Sequence, residues 1–476
     1  MDKEEFRAWG YKMVDWIADY QDRITEYPVL SQVKPGDIKA QIPHSPPADP
    51  ESMEEIWQDV EQVILPGITH WQNPRFFAYF QANTSYPSML AEMLSSGLGA
   101  QCMIWATSPA AAELEERMMN WLIELSGLPA DWEGVIQPTG SDSTLVALLS
   151  AREKVTDFHI NQAGFNGVSR MRVYATAETH SSIEKAAKIA GIGRENCLKI
   201  PTDSAGGMLP MALQEQIQAD RAAGFIPLAV TVTIGTTGRH AIDPLEPIAE
   251  VCEQENVWLH VDGAHAGTAL LLPELQHYLK GIEKADSYYF NPHKWMFTHF
   301  DCSAYFVKDP QTLIKTFSIL PEYLKTQADQ EVNNYRDWGI PLGRRFRALK
   351  LWFVMRRFGS KQLREKIRSH LALTAELVRE IEAHPQFEML NEPAFNLICF
   401  RLKPKGLSSV VDINKLNEQF MHALNHEGQI FLSHTLIEGQ YALRLSIGQT
   451  YLSQDILDES WAHIQSTAQE LLTAHF

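Results

Sequence analysis

Between residues 130 and 310 the chain alternates short β-rich runs with stretches of helical periodicity, and this pattern restricts the fold more than any other feature. The runs are Gly134–Gln137, Val173–Thr176, Leu228–Ile234, Val257–Val261, Ser287–Phe290 and Ala304–Val307; helical stretches lie at 143–154, 181–190, 210–223 and 245–255. Strands joined through helices pair side by side in the same direction. The pattern therefore predicts an α/β fold with a mainly parallel sheet covered on both faces. In such sheets ligands sit at the carboxyl ends of the strands.

The flanks read differently. Phe6, Trp9, Met13, Ile17, Tyr20 and Ile24 recur every three or four residues, predicting an amphipathic helix over 3–26. A proline-rich stretch from Pro43 to Pro50 follows, then a helix start with Ser52 and Glu55 at capping-box spacing. A further helix is expected after Ser108-Pro109, ending at Gly127. Beyond about residue 350, long helices enclose shorter strands near 396–402, 429–433 and 441–447, as in a smaller α+β domain. The expected division is an N-terminal helical dimerisation segment (1–82), a large domain (83–350) and a small C-terminal α+β domain (351–476).

Charge excludes some functions. With 41 basic and 59 acidic side chains the net charge is −18, which argues against nucleic acid or an anionic membrane as partner. No apolar run reaches the roughly 18 residues of a membrane span. The start, Met1-Asp2-Lys3-Glu4-Glu5, lacks the layout of a secretion signal, so a cytoplasmic protein is expected. Cysteines 102, 197, 252, 302 and 399 are too scattered for a disulfide framework or a zinc site, and no metal is expected.

Three elements carry chemistry. The run Val257–Val261 leads into Asp262, and a carboxylate at the end of a buried strand must be paired. The run Ser287–Phe290 leads into Asn291-Pro292-His293-Lys294-Trp295. A lysine among aromatics at a strand end has a depressed pKa and is a nucleophile toward carbonyls. Pro138-Thr139-Gly140-Ser141-Asp142-Ser143-Thr144 opens a helix, and its glycine and hydroxyls suit either simple N-capping or a phosphate. Gly235-Thr236-Thr237-Gly238 is a further turn that can bring hydroxyls to the same edge. A phosphate cradle, a strand-end aspartate and a lysine on a later strand together match the needs of pyridoxal phosphate: lysine carries the aldehyde, and aspartate keeps the pyridine nitrogen protonated. The spacing of His260, Asp262 and His265 also admits metal ligation. That reading finds no completing cluster and leaves Lys294 and the phosphate turn unexplained.

The chain resembles the group II pyridoxal-phosphate decarboxylases of the aromatic-L-amino-acid decarboxylase type over nearly its whole length. The motifs are Gly67-Ile68-Thr69-His70-Trp71, Pro74 to Phe80, Trp105 with Ser108-Pro109-Ala110, Glu113-Leu114-Glu115, and Gly134 to Gln137. They continue with Thr179-His180-Ser181-Ser182, His260-Val261-Asp262, Asn291 to Trp295, Asp301-Cys302-Ser303, Pro321 to Lys325 and Pro341 to Arg345. The resemblance implies the type I aminotransferase-like fold with a seven-stranded sheet, and pyridoxal 5'-phosphate as cofactor. It implies an amino acid substrate and a homodimer with active sites at the interface. Lys294 would carry the cofactor, Asp262 would face its pyridine nitrogen and His180 would stack on its ring. Gly140, Ser141, Ser287 and Asn291 would face the phosphate, with Thr237 and Ala264 beside the ring and His293 in the cofactor site. Trp71, Tyr79, Phe80, Ala82, Gln101, Met103 and Gly343 would line the substrate pocket, the 101–103 stretch reaching into the partner subunit.

Some positions depart from the family. Threonine often stands at Ala82, larger apolar residues at Gln101 and Met103 in animal members, tyrosine at His265, and a small residue at Pro138. Gly343 goes with bulky aromatic substrates, where histidine decarboxylases carry serine. The implied activity is decarboxylation of tryptophan or 5-hydroxytryptophan, DOPA, tyrosine or phenylalanine to the amine. The alternatives are an aromatic aldehyde synthase, which decarboxylates with oxidative deamination, and a group II decarboxylase acting on histidine or another amino acid. Tyr323 is the implied proton donor to Cα, at the place where plant aldehyde synthases carry phenylalanine.

Overall fold

The protein is described by a computed structural model covering residues 1–319 and 331–475. It divides into two compact units, one of residues 1–81, 373–392 and 396–476, the other of 82–372 and 393–395.

The larger unit is built on seven strands: β1 (Glu133–Gln137), β2 (Met171–Ala175), β3 (Cys197–Lys199), β4 (Ile226–Thr233), β5 (Trp258–Asp262), β6 (Ser287–Phe290) and β7 (Ser303–Val307). Their order is β1-β7-β6-β5-β4-β2-β3, and β7 alone runs against its neighbours. Every residue of β5, β6 and β7 is buried, as a sheet covered on both faces requires. The expected helices form at Gly140–Val155, Ser182–Ile189, Pro210–Ala222 and Leu245–Glu255. The edge strand β3 was not legible, because Cys-Leu-Lys is too short to show a period. The core centres on Val230, Val232, Leu259, Val261, Tyr288 and Phe290, all fully buried. Helix Arg347–Ala383, broken at Gly359, adds Ala348, Leu351 and Val354 to it.

The smaller unit carries β8 (Phe387–Met389), β9 (Leu397–Leu402), β10 (Ser433–Ile437) and β11 (Gln440–Ser446), in the antiparallel order β10-β11-β9-β8. The strand expected at 429–433 lies further on, at Ser433–Ile437. Its place is set by the tight turn Glu438-Gly439, both at positive φ, which closes a two-residue hairpin with Ile437 opposite Gln440. Phe77 is buried among Phe400, Phe420 and Trp461, so part of the N-terminal segment shares this unit's core. The first helix, Lys3–Asp22, buries no residue. Ser52 and Glu55 form the expected capping box.

Candidate active site

The site is built where β4, β5 and β6 end. After Phe290 the chain turns into the short helix Pro292–Trp295, which presents Lys294. The turn is held from several sides. Asn291 N–H donates to the Ala264 carbonyl (2.9 Å), and Lys294 N–H to the Asn291 carbonyl (2.9 Å). Asn83 braces it from outside: its Nδ2 donates to the Lys294 carbonyl at 2.6 Å, and its N–H to the His293 carbonyl at 3.0 Å. His293 is buried and turned toward the next segment, its Nδ1 accepting from Cys302 N–H at 2.9 Å. Burial, with the Lys294 ammonium next, pushes its pKa down to about 3, so it is a neutral clamp on the lysine turn.

Asp262 closes β5 at 4% exposure, and its Oδ1 accepts Ala264 N–H at 2.9 Å. Thr237 lies in the turn after β4, half-buried as Ala264 is. His180 follows β2 and is exposed; its Nδ1 accepts Ser182 N–H at 3.2 Å, which leaves the proton of the neutral ring on Nε2. Desolvation by the surrounding protein lowers its pKa, Asp262 opposes that and Lys294 adds to it. The three groups therefore act on one another. At neutral pH His180 is an uncharged ring, suited to lying against a flat cofactor.

Gly140 opens the 16-residue helix Gly140–Val155, capped by Thr139 and Asp142 in reciprocal hydrogen bonds. A Cβ at Gly140 would stand 2.7 Å from Tyr289 Cε2 and 3.0 Å from Asn291 Nδ2, so only glycine fits. Ser141 beside it is exposed. The first turn of any such helix directs N–H groups outward, with the dipole favouring an anion. Nearby, the buried Asn291 Oδ1 has no hydrogen-bond partner among the described residues. A glycine cradle at a helix start, an unsatisfied amide oxygen, a buried aspartate and a lysine on the adjoining turn fit pyridoxal phosphate.

Ser287 does not join this group. It starts β6, and its Oγ takes the Trp258 indole N–H at 3.2 Å and meets His260 Nδ1 at 2.9 Å. Four residues of strand separate it from Asn291, roughly 13 Å at the usual rise. Sharing a strand with the lysine turn placed it on the correct face and at the wrong end.

The profile of the family described as "Pyridoxal-dependent decarboxylase conserved domain" matches residues 35–403. The chain belongs to the pyridoxal-dependent decarboxylases. Among curated relatives it is 42% identical to phenylacetaldehyde synthase of Arabidopsis thaliana, over 99% of this chain and 97% of that one. It is 41% identical to tyrosine decarboxylase 2 of Narcissus pseudonarcissus, over 99% and 95%. Among solved structures, Oryza sativa TDC with PLP and tryptamine superposes with a TM-score of 0.96 at 34% identity, covering 99% of each chain. The decarboxylase has the type I fold of this family, and its cofactor is pyridoxal phosphate.

The remaining residues named from sequence fall into two groups. In the smaller unit Trp71 stacks on Phe76 (ring centroids 4.4 Å) and on Tyr79 (6.0 Å), Tyr79 meets Phe431 edge-on at 5.9 Å, and Phe80 is buried. In the larger unit Gln101 Oε1 accepts Arg344 N–H at 2.8 Å, and a Cβ on Gly343 would stand 3.2 Å from Gln101 Nε2. Met103 is adjacent, its carbonyl accepting Arg336 N–H at 2.9 Å; Ala82 is half-buried. Tyr323 lies outside the described residues.

His260, Asp262 and His265 do not converge: His260 meets Ser287, and His265 stacks on Trp295 with ring centroids 5.1 Å apart. Among the described residues no three His, Cys, Asp or Glu side chains gather as a metal cluster. Two contributors to the decarboxylase site escaped the sequence reading. Asn83 sits in an unpatterned polar loop with no local signal, and Tyr289 was passed over as one aromatic in a buried strand.

Proposed function

We propose that this decarboxylase converts an aromatic L-amino acid to its amine and CO2. The observation that carries the reading is the meeting of Lys294, Asp262 and His180 at the carboxyl ends of the strands. The aromatic preference is supported by the relatives' names.

Lys294 would carry the cofactor covalently, and the helix start at Gly140 and Ser141, with Asn291, would hold its phosphate. Asp262 would face the pyridine nitrogen, His180 would lie over the ring, and Thr237 and Ala264 would flank it. When bound, pyridoxal phosphate supplies the electron sink for the pair released as the Cα–carboxylate bond breaks. Lys294 would hold the cofactor before the substrate amine binds and again after the product leaves. Tyr323 delivers the proton to Cα. Replacing Lys294 with alanine removes the visible absorbance of the carried cofactor and steady turnover. Wild-type turnover in that variant overturns the mechanism, and clear preference for histidine or glutamate over tryptophan, DOPA, tyrosine and phenylalanine overturns the substrate class.

A second reading, oxidative deamination to an aldehyde, is favoured by the phenylacetaldehyde synthase among the relatives. The tyrosine at 323 favours the amine route. Tyr323→Phe is expected to bind cofactor normally, lose most amine formation and consume oxygen, giving aldehyde, ammonia and peroxide. Unchanged amine output without oxygen uptake excludes Tyr323 as donor.

The active enzyme is a homodimer in this reading, with residues 1–82 clasping the second copy and the 101–103 stretch reaching into its pocket. Two exposed apolar faces support it. Helix Tyr86–Leu98 leaves Leu90, Met93, Leu94 and Leu98 at 46–58% exposure, and helix Lys3–Asp22 leaves Phe6 and Tyr11 at 67–68%. A fully active monomer in sedimentation contradicts the shared site. The cytoplasm is the proposed location; among the described residues no helix is long and apolar enough to cross a membrane.

A further inference from the structure

Tyr289 occupies a position that the roles above do not use. It pairs with Asp262 across the parallel strands β5 and β6, so both side chains point to one face of the sheet. Backbone bonding fixes the register, Gly263 N–H donating to the Tyr289 carbonyl at 3.0 Å. The Tyr289 side chain is buried, with its ring parallel to His260 at 5.5 Å. At its other end it lies against the phosphate turn: a Cβ on Gly140 would stand 2.7 Å from its Cε2 and 3.2 Å from its hydroxyl oxygen. Asp262 and Thr144 are the side chains that act on its hydroxyl. Burial first, then the Asp262 charge, raise its pKa well above the ordinary tyrosine value, so it remains a donor throughout the working pH range.

We propose that Tyr289 is a positioning residue for the cofactor: its ring sets the floor that makes residue 140 glycine, and its hydroxyl orients the Asp262 carboxylate toward the pyridine nitrogen. The physical reason is the geometry of a carboxylate. Ala264 N–H already fixes one oxygen of Asp262 at 2.9 Å. A second donor, on the neighbouring strand, stops the group from rotating about its last bond, and hydrogen bonds to charged groups are among the stronger ones. One residue thus couples the two ends of the cofactor cradle. The inference rests on the proposed contact of Asp262 with the pyridine nitrogen.

The test is a double-mutant cycle on cofactor affinity. Apoenzyme is titrated with pyridoxal phosphate, following protein fluorescence and the visible absorbance maximum, for wild type, Tyr289→Phe, Asp262→Asn and the double variant. Tyr289→Phe keeps the ring against Gly140 and His260, so packing is retained. It is expected to raise the Kd about tenfold and move the absorbance maximum. In the Asp262→Asn background the same change should cost less than threefold, because the group it orients is gone. A threefold or smaller effect in the wild-type background overturns the proposal, as does an equal effect in both backgrounds, which marks a merely structural role. If Asp262→Asn itself leaves affinity and spectrum unchanged, the placement of Asp262 has failed instead, and the proposal falls with it. If Tyr289→Phe does not fold, Tyr289→Met, which also lacks the hydroxyl, takes its place in the cycle with the same decision rule.

Discussion

Replacing Glu115 with alanine should destabilise the larger unit by about 3–5 kcal/mol, the usual penalty for breaking one side of a buried ion pair. Glu115 Oε1 accepts from Arg344 Nη2 at 2.6 Å and from Ile136 N–H at 2.8 Å. Both side chains are almost wholly buried, at 8% exposure for arginine and 3% for glutamate. Without the carboxylate, the Arg344 guanidinium keeps, among the described residues, the Ile136 carbonyl (2.8 Å) and the Tyr335 ring (4.9 Å), and the β1 N–H of Ile136 loses its side-chain acceptor. Glu115→Gln keeps an acceptor oxygen and loses only the charge, so about 1–2 kcal/mol is expected. Urea unfolding of the cofactor-loaded enzyme, followed by tryptophan fluorescence, should rank wild type, Glu115→Gln and Glu115→Ala in that order. KM should rise more than kcat falls, since Arg344 N–H also holds Gln101 beside Gly343. A Glu115→Ala protein within 1 kcal/mol of wild type would falsify the argument.

Two further predictions concern acid stability and specificity. Burial pushes His260 down to about 4, so between pH 6.5 and 4 the unfolded chain binds more protons than the folded one, and stability is lost as pH falls through that window. The loss is about 2 kcal/mol at pH 5; His260→Phe, which preserves stacking on Tyr289, should remove it, and an unchanged difference between unfolding midpoints at pH 7.5 and pH 5 refutes the assignment. Gly343→Ser should leave stability within about 0.5 kcal/mol, because the atom it meets is the far end of the exposed Gln101, yet lower kcat/KM for tryptophan relative to histidine. An unaltered ratio removes Gly343 from the specificity wall.

The chemistry-bearing turns were legible because each is local. Asn291 to Trp295 is a strand end running into a helix start, and Thr139 with Asp142 is a capping box whose partners stand three residues apart. Periodicity recovered the long helices and the buried strands of the large sheet for the same reason. What failed was placement along a strand, as at Ser287, and the strand Ser433–Ile437, where turn geometry at Glu438-Gly439 outweighs the apolar pattern.

The amino-acid sequence by itself determined the alternation that makes the sheet, the residues able to bind an aldehyde, a pyridine nitrogen and a phosphate, and the family to which they belong. It could not say which motifs touch. Glu115 and Arg344, 229 residues apart, form one buried pair, and Asn83 supports the lysine turn 211 residues away. Tyr289 stands beside Asp262 only because two parallel strands lie in one register. Local backbone preference acts over a few residues. Burial and pairing of charge act across whatever the folded chain brings within a few ångströms, so these choices belong to the tertiary structure.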